Sequence, residues 1–201
     1  MPDWEEDSLR LNDNLVAALK MAAYAADRRE LPTLTAARNW HKRINLGLTA
    51  PRARFVGAFR GEPGLERIHV RVGSRFGAKP ADVSKELSEF ESKLQAIVPE
   101  LDASFPSHVR LSRDLLGAVI DVCAWVHTEW VRIHPFVNGN GRTARLWANS
   151  IAMRYGLPPF LPLRPRPGAR YAAASAKAMQ GDWSLAAIVF RELLDDFLGN
   201  F

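Results

Sequence analysis

The chain has 201 residues, 47% of them hydrophobic, and its 27 Lys and Arg outweigh 22 Asp and Glu to give a net charge of +5. That is enough apolar material for one sizeable core, and no polar or low-complexity stretch separates two, so a single domain over 1–201 is expected. The acidic start, the lone Cys123 and the lack of any apolar run near the ~20 residues of a membrane span exclude a disulfide scaffold and a membrane protein, and predict a cytoplasmic one.

In chain order, Leu11, Leu15, Ala18, Leu19, Ala22 and Ala25 recur at helical spacing and predict a helix over about 12–28, with Asp13 and Asn14 as first-turn or cap residues. A second helix is expected over 33–46, capped by Thr33 or Thr35. From Pro51 to Lys79 the pattern turns to Gly, Pro and short alternating runs, and residues 67–72 followed by Gly73-Ser74 predict a small β-hairpin. Val83, Leu87, Phe90, Leu94 and Val98 then mark an amphipathic helix with Pro80 at its start and Pro99 near its end.

The longest apolar stripe, Leu116, Val119, Ile120, Cys123, Val126, Trp130 and Ile133, stops at His134-Pro135, because proline disfavours helical geometry in the residue before it. A further helix is expected from Gly141 or Arg142 to Gly156, and two more over 169–179 and 183–198. The chain is therefore almost all helical, with one hairpin.

Charge is unevenly placed. From Val131 to Gly181 there is no Asp or Glu, while seven arginines and Lys177 occur, which favours an anionic ligand. Inside that stretch, His134-Pro-Phe-Val-Asn138-Gly139-Asn140-Gly141-Arg142-Thr-Ala-Arg145 joins a titratable ring, a glycine turn and two arginines spaced three apart. Gly139 and Gly141 can take positive backbone dihedrals, so the amides of the turn and of the following helix can converge on phosphate oxygens at the positive helix end. Arg142 and Arg145 offer forked donors, and His134 is the side chain suited to take a proton from a hydroxyl near neutral pH. Gly139 to Ala144 also fits a dinucleotide-binding pattern, but a helical stripe precedes it and no acid follows about 20 residues later, which rejects that reading.

The remaining histidines, 41, 69, 108 and 127, lack metal-site spacing and are assigned structural roles. Arg164, Arg166 and Arg170 lie in a Pro-rich loop and read as a solvated face, and the tryptophans, including Trp125, Trp130 and Trp147, as core or interface residues.

The 12-residue segment resembles the signature of the Fic family, His-x-Phe-x-(Asp or Glu)-Gly-Asn-Gly-Arg-x-x-Arg, at every specified position except Asn138. Upstream, residues 56–60, 70–73 and Phe76 resemble the family's approach to its target-binding flap, so the likeness covers about residues 30–155. It implies a mainly α helical bundle with one small β-hairpin flap, the helices at 12–28 and 169–198 packing on the core.

The resemblance also implies protein adenylyltransferase activity, in which the motif histidine deprotonates a target hydroxyl that attacks the α-phosphate of ATP. Carried over by position, His134 is the base, Gly139, Asn140 and Gly141 hold the α- and β-phosphates, Arg142 the β-phosphate and Arg145 the γ-phosphate, with Phe136 anchoring the loop. The hairpin, His69, Val70, Arg71, Val72 and Gly73, pairs with an extended segment of the target protein and registers its Ser, Thr or Tyr hydroxyl. Asn138 stands where the family places its magnesium-binding carboxylate, so Mg2+ is expected to be weakly held and transfer slowed. The family's inhibitory Ser/Thr-x-x-x-Glu-Gly/Asn segment is not found, which points to a small antitoxin acting in trans. Three alternatives stand beside AMP transfer. One is phosphorylation as in the Doc branch, against which Gly141 argues. The second is a non-catalytic nucleotide-binding domain. The third is a nucleic-acid binder, the least favoured partner class.

Overall fold

The computed structural model describes residues 8–105 and 113–199. Seven α-helices fall among the described residues: α1 (Leu9–Asp27), α2 (Leu34–Ile44), α3 (Pro80–Ser104), α4 (Arg113–Ile133), α5 (Asn140–Arg154), α6 (Ala169–Ala178) and α7 (Ser184–Gly199). The hairpin is β1 (Arg71–Val72) and β2 (Arg75–Phe76), antiparallel, with Arg71 opposite Phe76 and Val72 opposite Arg75. The mainly helical fold with one hairpin is the one expected. No helix among the described residues is long and apolar enough to cross a membrane.

Helix α4 lies at the centre, packed by α3, α5, α6 and α7, while α1 packs on α2 and α5. The stripe foreseen in α4 faces this core: Val119, Ile120, Cys123, Val126, Trp130 and Ile133 are fully buried. One apolar cluster draws on all seven helices, and each large side chain it buries contributes roughly 1.5–3 kcal/mol. At its middle Phe90 meets Trp130 and Trp147 edge to face, the two tryptophans are tilted against each other, and Trp40 is set edge-on against Trp147. Cys123 donates its thiol proton to the Ala148 carbonyl, and burial pushes its pKa up.

Several boundaries differ from the sequence reading. Helix α1 starts earlier, because Ser8 caps it by accepting from the Leu11 amide. Asn14 is no cap but a buried residue of α1 that donates to the carbonyls of Ile44 and Leu46, closing the end of α2. Of the two threonines considered for α2, Thr33 is the cap. Pro99 stands near the end of α3, as expected, but inside it. The helix runs on to Ser104, since proline costs one backbone bond while the last turn is tied down by the Arg154–Asp102 ion pair and the Phe105–Tyr155 contact. The strand expected over 67–72 shortens to two residues. His108 lies outside the described residues.

Candidate functional site

Two short bonds hold His134 where α4 ends. Its amide donates to Trp130 O at 2.9 Å, and its ring Nδ1 lies 2.9 Å from Val131 O. A carbonyl can only accept, so Nδ1 carries the proton and Nε2 keeps its lone pair. The backbone at His134 is left-handed, φ +54°, a conformation costing a side-chain-bearing residue roughly 1–2 kcal/mol. Arg60 offsets that cost from a distant loop. Its Nε donates to His134 O and its Nη2 to Ile133 O, both at 2.8 Å, its Nη1 to Ile68 O at 3.2 Å, and its amide to Pro135 O. Only 1% of Arg60 is exposed, and burial lowers its pKa to about 10, which leaves it charged at neutral pH. Burial, and after it the charge of Arg60, lowers the pKa of His134 to about 4, so the ring is neutral and able to accept a proton.

The loop after His134 is stapled by its own asparagine. Asn140 accepts from the Phe136 amide and donates to the Phe136 carbonyl, both at 2.8 Å, so what it offers a ligand is its backbone. Phe136 is fully buried among Phe59, Trp130 and His41, in the anchoring position foreseen. Of the two glycines able to take positive dihedrals, Gly139 does so, at φ +78° before α5, whereas Gly141 lies inside α5 without a positive φ. A side chain at 141 would meet the Arg145 guanidinium at 3.5 Å. No side chain caps α5, so its first amides face the cleft at the positive end of a 15-residue helix.

His134, Asn138, Gly139, Asn140, Gly141, Arg142 and Arg145 all line one cleft of about 320 Å3, together with Val70, Arg71 and Val72 of the hairpin. His69 and Gly73 do not line it: His69 is exposed, and Gly73 makes the hairpin turn at φ +61°. The hairpin returns to the site through Gly77, whose amide bonds Val70 O and where an added Cβ would come within 2.6 Å of the His134 Cβ. Arg145 is 5% exposed and already engaged: Nη2 donates to Leu163 O at 2.9 Å and Nη1 to the Tyr171 hydroxyl at 3.2 Å. Tyr171 in turn gives its proton to His127 Nε2 at 2.7 Å, and burial, followed by the charges of Arg145 and Arg166, lowers the His127 pKa to about 3.

Three participants escaped the sequence reading. His41 is structural, as expected of it, but it holds the motif loop itself: it stacks on Phe136 at 3.9 Å, accepts from the Gly57 amide at Nδ1 and gives its Nε2 proton to Asn138 O at 3.0 Å. Arg166 is exposed, as expected of it, but it also lines the cleft, as does Tyr171. Nothing local signals either residue, because both reach the cleft only through the packing of α6. Among the described residues no group of three His, Cys, Asp or Glu could hold a metal ion. The cleft wall carries four arginines and no Asp or Glu, and the Asn138 Oδ1 accepts from the Gly139 amide at 2.7 Å. This donor set does not fit a magnesium ion, which prefers charged oxygen.

Set beside known proteins, the chain resembles the protein adenylyltransferase Fic of Culex quinquefasciatus, 36% identical over 97 residues, and that of Drosophila persimilis, 41% identical over 97 residues. Each match takes in 48% of this chain but only 16% of the relative. Among solved structures, BepC of Bartonella tribocorum, with AMPPNP bound, superposes with a TM-score of 0.61 at 18% identity, covering 91% of this chain and 85% of that one. A fragment of Fic-1 from C. elegans does so with a TM-score of 0.63 at 25% identity, over 98% and 54%. The Fic/DOC family model matches residues 32–152, and by that match, on this fold, the chain belongs to the Fic/DOC family.

Proposed function

We propose that the chain transfers AMP from ATP to a hydroxyl of another protein. The observation that carries this reading is the tautomer of His134: with Nδ1–H tied to Val131 O, the bare Nε2 is left to a cleft whose opposite wall is a glycine turn and the uncapped start of α5. The turn and helix amides take the phosphates, Arg142 draws charge from the β-phosphate, and Nε2 takes the hydroxyl proton as its oxygen attacks the α-phosphorus. The bond from α-phosphorus to the bridging oxygen breaks, pyrophosphate leaves, and a phosphodiester joins AMP to the target. The hairpin's open edge offers an extended target segment backbone bonds beside His134. The partner that closes the cleft in trans is a small antitoxin.

The name shared by the insect relatives supports this reading, as does the nucleotide bound in BepC. A second reading, nucleotide binding without transfer, is favoured by the neutral Asn138 Oδ1 that bonds the Gly139 amide. The test is incubation of the protein and its His134→Ala variant with cell lysate, magnesium and ATP labelled at the α- or the γ-phosphate. Label from the α-position that His134→Ala abolishes establishes AMP transfer, and label from the γ-position alone means phosphorylation. No label from the native chain, with label from Asn138→Asp, leaves the binding-only reading.

A further inference from the structure

We infer that this cleft takes a nucleoside triphosphate without a divalent cation, and that Arg166, outside the motif, supplies the charge the metal would otherwise bring. The inference rests on the nucleotide reading above and adds to it the charge state of the ligand.

A triphosphate carries about four negative charges, which hard cations or guanidinium groups must balance. On this wall the balance is all guanidinium: Arg142 and Arg145 on α5, Arg166 beyond it, and no carboxylate to recruit a metal. A metal there would add charge beside three arginines without gaining a single anionic protein ligand.

The engagement of Arg145 singles out Arg166. Both terminal amino groups of Arg145 are committed to Leu163 O and the Tyr171 hydroxyl, leaving Nε, which has no hydrogen-bond partner. Arg145 therefore braces the wall as much as it reaches for a ligand. Arg166, in contrast, is exposed at the cleft, its guanidinium 5.9 Å from the Tyr171 ring centre, and no carboxylate among the described residues pairs with it. Pro165 and Pro167 flank it and restrict its backbone, which lowers the entropy lost when the side chain settles on phosphate. The ring beneath it is itself fixed by His127 and Arg145, so Arg166 is a free cation on a rigid platform.

Titration calorimetry of the full chain with ATP, in EDTA and in magnesium, reads the inference directly. ATP is expected to bind with nearly equal affinity in both buffers, and Arg166→Ala to weaken ATP about tenfold in EDTA while leaving AMP, which lacks the outer phosphates, unchanged. Arg166→Lys is expected to recover part of the loss, and Asn138→Asp to make binding tighter in magnesium than in EDTA. Because Arg166 is exposed, its variants should melt with the native chain, and melting curves check this. ATP binding that needs magnesium, or an Arg166→Ala variant that binds ATP in EDTA as tightly as the native chain, overturns the inference and leaves the nucleotide reading intact. Binding in neither buffer overturns both.

Discussion

The ring of His41 gives a proton to the carbonyl of Asn138 across 97 positions of sequence, at 3.0 Å, and so ties α2 to the loop that follows His134. Because Nδ1 of the same ring accepts from Gly57, His41 works only as the neutral Nε2–H tautomer. Burial, outweighing the bond to Asn138, lowers its pKa to about 4 and keeps it in that form.

Replacing His41 by Ala removes the ring's bonds to the Asn138 carbonyl and the Gly57 amide and its stack on Phe136. The expected loss is about 2–4 kcal/mol of stability, read as a lower melting temperature. Transfer activity in the labelling assay should fall further than stability alone accounts for, since the loop amides lose their register. Native-like activity in a folded His41→Ala protein would show that the loop holds its shape unaided.

Arg60 bridges three carbonyls with a planar fork, and an ammonium group cannot reproduce that geometry. Arg60→Lys should therefore cost about 2–4 kcal/mol despite keeping the charge, by the mechanism of unsatisfied buried acceptors. Denaturant unfolding measures it. A cost under about 0.5 kcal/mol, the range of ordinary surface changes, would refute the bracing role.

Gly77→Ala puts a Cβ 2.6 Å from that of His134, so the hairpin end or the histidine must shift. Overpacking of this kind costs about 1–3 kcal/mol, and the shift should lower turnover at least tenfold. The control is Gly117→Ala inside α4, which meets nothing within 4 Å and should leave turnover near native while raising stability by about 0.5–1 kcal/mol.

Acid should destabilise the fold in a defined window. Burial first of all lowers the pKa of His41 and His134 to about 4 and of His127 to about 3, while an unfolded histidine titrates near 6.5. Between these values the unfolded chain binds more protons than the folded one. The histidine contribution is thus complete above pH 6.5 and is lost as the pH falls towards 4 and below. Melting temperatures from pH 7.5 to 4.5 should fall over the lower half of that range, and His127→Gln should flatten the slope. A slope that variants of all three histidines leave unchanged would assign the loss to carboxylates instead.

The helices and the motif were legible because both are local patterns. The stripe of α4 repeats on one face whatever packs against it, and the twelve residues from His134 carry their chemistry in consecutive positions. Misread boundaries share one cause, which is that a residue's type does not say whether it will be buried. Asn14 has the chemistry of a helix start. Tertiary contacts gave it a carbonyl pair to bond instead.

The sequence by itself determined that this is a helical Fic/DOC chain with a histidine, a glycine turn and paired arginines at one point, and with an amide in place of an acid. The structure decided which nitrogen of His134 is free: the partner of Nδ1 is the Val131 carbonyl, only three residues back, left open where α4 ends. It also decided that His41 and Arg60 hold the loop and that Arg166 shares the cleft. The contacts of His41 and Arg60 join segments far apart in the chain, and local pattern carries no information about which distant side chain will meet a given carbonyl once a common core has drawn the helices together.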